Sequence, residues 1–250
     1  QKRDKFSRFY FIGDEDLLEI IGQASEDATI IQNHLKKLFQ GVASVKFDET
    51  NKVIVSVCSS LGEVVKLKKP VKCEGAVEVW LMQLSDQVAD TLRLILCDMM
   101  KTKNVDYYTF PSQLTLLYHQ IKFTELVESN RSDVNKISQF VEENLHKLVS
   151  ADQNTELQRY VVRSLIIEYV RFRQVVEELD ETSSWKWQKQ LRFYFRDNNA
   201  FAEMGDAVIP YGFEYQGNPA RLVYTPLTAK CYLTLCEGIA LGYGGNPYGP

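Results

Sequence analysis

From Gly75 to about Lys103 the apolar residues recur at helical spacing for about eight turns. Trp80, Leu84, Val88, Leu92, Ile95 and Met99 fall on one stripe. Three further one-faced segments follow. The first carries Leu114, Leu117 and Ile121, the second Val134, Ile137, Val141 and Leu148. The third carries Leu157, Val161, Leu165, Phe172, Val176 and Leu179. Helices with a single apolar stripe must bury it against a neighbour, so this run predicts an elongated antiparallel helical bundle. The stripes read as core rather than as a cofactor box.

Two shorter helices are expected upstream. "GDEDLLEIIG" places Asp14, Glu15 and Asp16 at a helix start and Gly22 at its end, matching the charge preference of the first turn and the glycine preference of the last. Ile30, Ile31, His34, Leu35, Leu38 and Phe39 follow at helical spacing and close near Gly41. His34 lies on or beside that apolar face and reads as a packed histidine rather than a metal ligand. The period then changes to two. Val45 and Phe47 alternate, then Val53, Val55 and Val57, then Val64, Val65 and Leu67, with turns at "DETN" and "SSLGE". This predicts a three-stranded antiparallel meander over about 45–68, the one substantial sheet before residue 200. Lys66, Lys68, Lys69 and Lys72 read as a solvated strand face, with an acidic protein partner as the sharper reading.

After "DETSS" the character shifts: "WKWQKQLRFYF" (Trp185 to Phe195) interleaves aromatics with cations. Such a pattern can stack bases. The chain carries a net charge of −4, however, and lacks an RNA-binding signature, so a packed junction is the reading. "VIPYGFEYQGNPARLVYTPLT" reads as short extended pieces, "AKCYLTLCEGIAL" as a helix, and "GYGGNPYGP" as a glycine-rich turn.

The 250 residues are 45% hydrophobic and 25% charged, an ordinary globular balance. Five scattered cysteines without C-x-x-C spacing suit reduced thiols in a cytosolic protein. No apolar run reaches the ~18 residues of a membrane span. The first residue and the abrupt last one suggest a piece of a longer chain. G-x-S-x-G and H-E-x-x-H are absent, and His119 and His146 stand isolated, so no metal ligand and no catalytic residue is assigned.

Three stretches together resemble the dynein heavy chain family. "RFYFIGDEDLLEIIG" (Arg8 to Gly22) with "IQNHLKKLFQGVASV" (Ile31 to Val45) resembles its linker region. Trp185 to Phe195 resembles the end of the linker. "YGFEYQGNPARLVYTPLTAKCYLTL" (Tyr211 to Leu235) with "GGNPYGP" resembles the start of the first AAA+ module. Within the family, "FPSQ" (Phe110 to Gln113), "QIKFTELVE" (Gln120 to Glu128) and "GGNPYGP" look most like the cytoplasmic type 2, intraflagellar-transport heavy chain.

The resemblance implies a mainly α linker segment with a β insertion over residues 1–200. The linker end and the first residues of an AAA+ α/β domain then occupy 201–250. It implies that Gly249 and Pro250 open a Walker A loop whose lysine and metal-binding hydroxyl lie beyond them. It also implies that Leu222, Val223, Thr225, Pro226 and Leu227 hold the adenine of ATP or ADP, with Mg²⁺ in the intact motor, and that the 250 residues alone do not hydrolyse ATP. The implied function is that of a linker lying across the AAA+ ring, bending and straightening as ATP turns over to drive movement toward microtubule minus ends, here retrograde along cilia.

Implied partners are the protein's own ring, microtubules, a second heavy chain, intermediate, light intermediate and light chains, and intraflagellar transport trains. Nucleic acid and membrane insertion are not among them. The implied location is the cytoplasm, cytoskeleton and cilium, including axoneme and ciliary base. Ala229 departs from the family's usual Asp at that position. The alternative is a non-catalytic helical scaffold or tail module that binds protein partners and no nucleotide, which would pack Leu222 to Thr228 as an ordinary strand.

Overall fold

The computed structural model describes residues 2–23, 27–179, 184–246 and 248–249. The chain divides into two compact units, Gln1–Leu114 with Gly212–Pro219, and Thr115–Tyr211 with Ala220–Pro250.

The first unit contains α1 (Lys2–Lys5), a 3₁₀ turn (Ser7–Phe11), α2 (Asp14–Gln23), a second 3₁₀ turn (Ala28–Asn33) and α3 (Leu35–Leu38). A sheet of β1 (Ser44–Phe47), β2 (Val53–Cys58) and β3 (Val64–Lys72) follows, and then α4 (Val77–Lys101). The acids at Asp14, Glu15 and Asp16 do open a helix. The single helix expected through Ile30–Phe39 is instead a 3₁₀ turn and one turn of α-helix. The Asp27 carboxylate accepts from the Thr29 amide at 2.9 Å and starts a tight turn. The β-branched run Thr29-Ile30-Ile31 resists continuing it as α-helix. The apolar face survives the change: Ile31, Leu35 and Leu38 are buried.

The meander forms as expected, antiparallel in the order β1-β2-β3, and β3 runs on through Pro70 to Lys72. Its facing differs in one respect. Pairing on both sides of β2 skips Val55, a bulge that lets Ile54 and Val57, three residues apart, both reach the core. The expected Val53/Val55/Val57 alternation therefore holds only at Val57. Lys66, Lys68, Lys69 and Lys72 are exposed, as a solvated face requires. Helix α4 lies against β3, and buried Thr91 accepts from the Lys68 amide at 3.0 Å. Trp80, Leu84, Val88, Leu92 and Met99 are buried along α4.

Helix α5 (Ser112–Ser129) begins in the first unit and continues in the second. The second unit adds α6 (Val134–Val149), α7 (Glu156–Glu178) and α8 (Ser184–Gln188). It also holds a sheet of β4 (Arg192–Arg196), β5 (Asn199–Met204) and β6 (Ala207–Pro210), and ends with α9 (Pro226–Ala240). Asp133 caps α6 through the Lys136 amide, and Thr155 and Gln158 form a reciprocal capping box on α7. The core is aromatic. Phe123 and Phe172 stack with centroids 3.9 Å apart, Tyr169 meets Phe172 edge-on at 5.1 Å, and Trp187 closes the group. No helix among the described residues is long and apolar enough to cross a membrane.

The second sheet corrects the expectation of a single sheet before residue 200. "RFYF" does not end a junction; it is β4, hydrogen-bonded to β5. The turn between them is Asp197-Asn198, with φ of +50° and +59°. A two-residue turn with both φ positive twists with the strands and favours Asn and Asp. Gly205-Asp206 makes the next turn, with Gly205 at φ +59°.

His119 is buried against Tyr169, its Nδ1 2.9 Å from the phenol oxygen. Burial pulls its pKa down to about 4 from 6.5. A neutral imidazole in the fold and a titrating one in the unfolded chain give a stability term fully present above pH 6.5. That term is lost as pH falls toward 4, about 3 kcal/mol in all. Urea unfolding across that range will show a steep acid loss, and His119→Gln will flatten the slope by about one proton, whatever its stability at pH 7.5.

Candidate functional site

Thr225 and Pro226 start helix α9. The Thr225 hydroxyl accepts from the Thr228 amide at 3.2 Å, and Pro226 occupies the first helical turn, where its missing N–H has no intrahelical role. The helix continues through Gly238 to Ala240. Ahead of it, Arg221 to Thr225 form no strand. Leu222, Val223 and Leu227 are 64%, 60% and 72% exposed, which is unusual for three large apolar side chains within six residues.

Two arginines sharing one buried carboxylate hold this loop. Glu168 on α7 accepts from Arg171 Nη2 at 2.7 Å and from Arg221 Nη2 at 3.1 Å. Arg171 also lies over the Tyr224 ring at 5.1 Å, close enough for a cation–π contact. Burial raises the Tyr224 pKa. A cavity of about 240 Å³ opens beside these groups, lined by Arg171, Gln174, Lys189, Tyr224, Thr225, Pro226 and Lys230 among others.

Of the predicted site residues, Thr225 and Pro226 line that cavity, whereas Leu222, Val223 and Leu227 are not part of its lining. Gly249 has open space around its α-carbon, and Pro250 lies outside the described residues. Sequence reasoning missed Glu168, Arg171, Arg221 and Tyr224. Glu168 carried a signal, since it sits on the α7 stripe between Leu165 and Phe172, where an acid must find a buried partner.

The residues just before the loop belong to the first unit and are held there by a second buried carboxylate. Glu63 accepts from the Ser112 amide at 2.7 Å and from the Tyr215 hydroxyl at 2.6 Å. Burial, then the Glu63 charge, raises the Tyr215 pKa strongly. Gln113 brackets the same strip, donating to the Glu214 carbonyl and accepting from the Gln216 amide. Gly41 and Gly217 meet backbone to backbone. A Cβ on Gly217 would sit 2.5 Å from the Gly41 carbonyl oxygen, and one on Gly41 2.2 Å from that of Tyr215.

Residues 1–99 match the family described as "Dynein heavy chain, N-terminal region 2", and residues 211–250 match "Hydrolytic ATP binding site of dynein motor region". Cytoplasmic dynein 2 heavy chain 1 from Homo sapiens is 43% identical over the whole chain, and that from Caenorhabditis elegans 41%. The chain belongs to the dynein heavy chain family. It spans 6% of the length of these dynein relatives. The cytoplasmic dynein heavy chain of Dictyostelium discoideum is 33% identical across the same span, so the likeness is greater to the type 2 chains. The loop, the start of α9 and Gly249 all fall inside the stretch matching the dynein ATP-site family.

Removing the shared carboxylate tests the anchoring of the loop. Glu168→Ala leaves Arg171 buried without its acid and will cost about 3–5 kcal/mol in urea unfolding. Arg221→Ala, at a partly exposed position, will cost about 1 kcal/mol. Both will speed proteolysis within 221–225.

Proposed function

We propose that this chain is the part of a dynein motor that joins the linker to the ring. On this reading residues 1–200 are linker segment and 201–250 are the linker end and the start of the first AAA+ module. The intact heavy chain would be an ATP-driven motor moving toward microtubule minus ends, with this segment transmitting the power stroke, and its work would be retrograde intraflagellar transport. Its place would be the cytoplasm and cytoskeleton of ciliated cells, from ciliary base to axoneme. Its partners would be microtubules, a second heavy chain, the smaller dynein chains and transport trains.

The observation that carries this reading is identity of 40–43% to cytoplasmic dynein 2 heavy chains from human to Chlamydomonas reinhardtii, in alignments that cover the whole chain. Depleting the protein in ciliated cells will strand transport cargo at ciliary tips. Normal return of cargo would move the chain to another dynein class.

ATP or ADP with Mg²⁺ is the nucleotide of the proposed motor. The exposed apolar side chains of Leu222, Val223 and Leu227 fit a flat adenine face, and backbone N–H and C=O groups of the loop fit its polar edge. Nucleotide phosphates and metal would need the groups implied beyond Gly249. Because Leu227 is exposed, Leu227→Asp leaves the fold intact and acts only on what covers it. In the intact heavy chain it will weaken ATP binding at least tenfold, by burying an unpartnered carboxylate against the base. Thr228→Ala will leave ATP affinity within about twofold. Unchanged affinity in Leu227→Asp would remove these residues from the base site.

A further inference from the structure

The first unit holds a group of ligand atoms that the motor reading does not use. Asp16 and Glu19 stand three residues apart on α2, so their side chains share one face of the helix. His34 sits at the junction of the second 3₁₀ turn and α3. Its ring is buried, with 5% of the side chain exposed, and neither ring nitrogen has a hydrogen-bond partner. Nδ1 lies 3.5 Å from Asp16 Oδ1, and Nε2 lies 3.4 Å from Glu19 Oε2. One donor atom from each of the three residues falls within 4.8 Å of the other two.

A neutral imidazole fits this place badly. One nitrogen carries a hydrogen, but the other presents a lone pair, and here both face carboxylates. The lone pair and the negative oxygen repel, and the His34 ring, 5% exposed, cannot turn that lone pair out to solvent. A cation between the three groups turns that repulsion into coordination. The charge agrees: Asp16 and Glu19 supply −2, and Lys37, 2.6 Å from Asp16 Oδ2, supplies +1. Lys37 occupies only the second oxygen of Asp16 and leaves Oδ1 turned to His34.

We propose that Asp16, Glu19 and His34 form a binding site for a divalent transition-metal ion, zinc in preference, which clips α2 to the α3 segment. One imidazole nitrogen with two carboxylate oxygens suits a borderline ion and disfavours Mg²⁺ and Ca²⁺. Three protein ligands leave a fourth, tetrahedral position to water. Ligand atoms around zinc stand about 3.5 Å apart, so the group must draw in by about 1 Å. Glu19, with 43% of its side chain exposed, has the freedom to do so. The site is independent of nucleotide and of the chemistry implied near Gly249.

The test is calorimetric titration of Zn²⁺ into the chelator-treated 250-residue chain, with Co²⁺ visible absorption reporting the ligand set. One ion will bind per chain, with micromolar or tighter affinity, and raise the melting temperature; Mg²⁺ will do neither. Glu19→Gln, an isosteric change at a half-exposed position, will weaken Zn²⁺ binding at least tenfold and abolish the thermal shift. His34→Gln will do the same and remove nitrogen ligation from the Co²⁺ spectrum. Absence of one-to-one binding overturns the proposal, as does binding that survives Glu19→Gln or is lost instead on replacing Cys73 and Cys236 with Ser. Nitrogen NMR showing both His34 nitrogens protonated at neutral pH and indifferent to Zn²⁺ would replace the ion with an imidazolium bridging the two acids.

Discussion

The stretch from Tyr211 to Thr225 has no helix or strand of its own, yet it holds a defined course because two buried glutamates accept its donors. An extended backbone without ladder partners has nothing intrinsic to fix it. A buried carboxylate is tolerated only when its acceptor sites are filled. Each half of the problem solves the other. Glu63 is filled by the Ser112 amide and the Tyr215 hydroxyl, and Glu168 by Arg171 and Arg221. The strip Gly212–Pro219 thereby belongs to the first unit and Arg221 to the second. The glycine contact at Gly41 and Gly217 adds a steric condition, because neither position has room for a side chain.

For the proposed linker reading this attachment is the relevant property. A segment that passes displacement to the next domain must not slip on the body that carries it. Hydrogen bonds from a phenol and an amide to a buried carboxylate resist shear, since sliding either partner leaves an unpaired charge in a poorly solvated place. Beyond Arg221 the character reverses. Leu222 and Val223 face solvent, and regular secondary structure returns at the Thr225 cap. Leu222 and Val223 thus stand exposed between Arg221, which is tied to Glu168, and the Thr225 cap.

The long helices were legible because their periodicity exceeds any accident of composition, and the first meander because three alternating runs were punctuated by turns. The second sheet was not read, although Asp197-Asn198 and Gly205-Asp206 are its turn signals. Aromatic and cationic residues in "WKWQKQLRFYF" suggested a junction, and the alternation in β5 is masked by Ala200, Ala202 and Glu203. The α3 region failed for another reason, since hydrophobic spacing cannot distinguish a 3₁₀ turn plus one helical turn from a continuous helix. Glu63 was beyond reach. Its partner Tyr215 lies 152 residues away, and nothing in "SSLGE" separates a buried acceptor from a surface acid. Asp16, Glu19 and His34 are close in sequence, but only the fold turns His34 toward both carboxylates.

Ala229, the departure from the family pattern, bears on how the start of α9 is stabilised. An aspartate there would sit in the first turn and interact favourably with the helix dipole, worth about 0.3–1 kcal/mol. The structure supplies that stabilisation by other means. Thr225 already satisfies the Thr228 amide, Pro226 presets the backbone angle, and the Ala229 amide makes its helical bond to the Thr225 carbonyl at 2.9 Å. The side chain of residue 229 is therefore not needed to begin the helix. What changes is the cavity beside it. Ala229 lines that cavity with Arg171, Lys189 and Lys230, and Glu178 is the acid among the lining residues. A second carboxylate would have countered those cations; alanine leaves the hollow with an excess of positive charge.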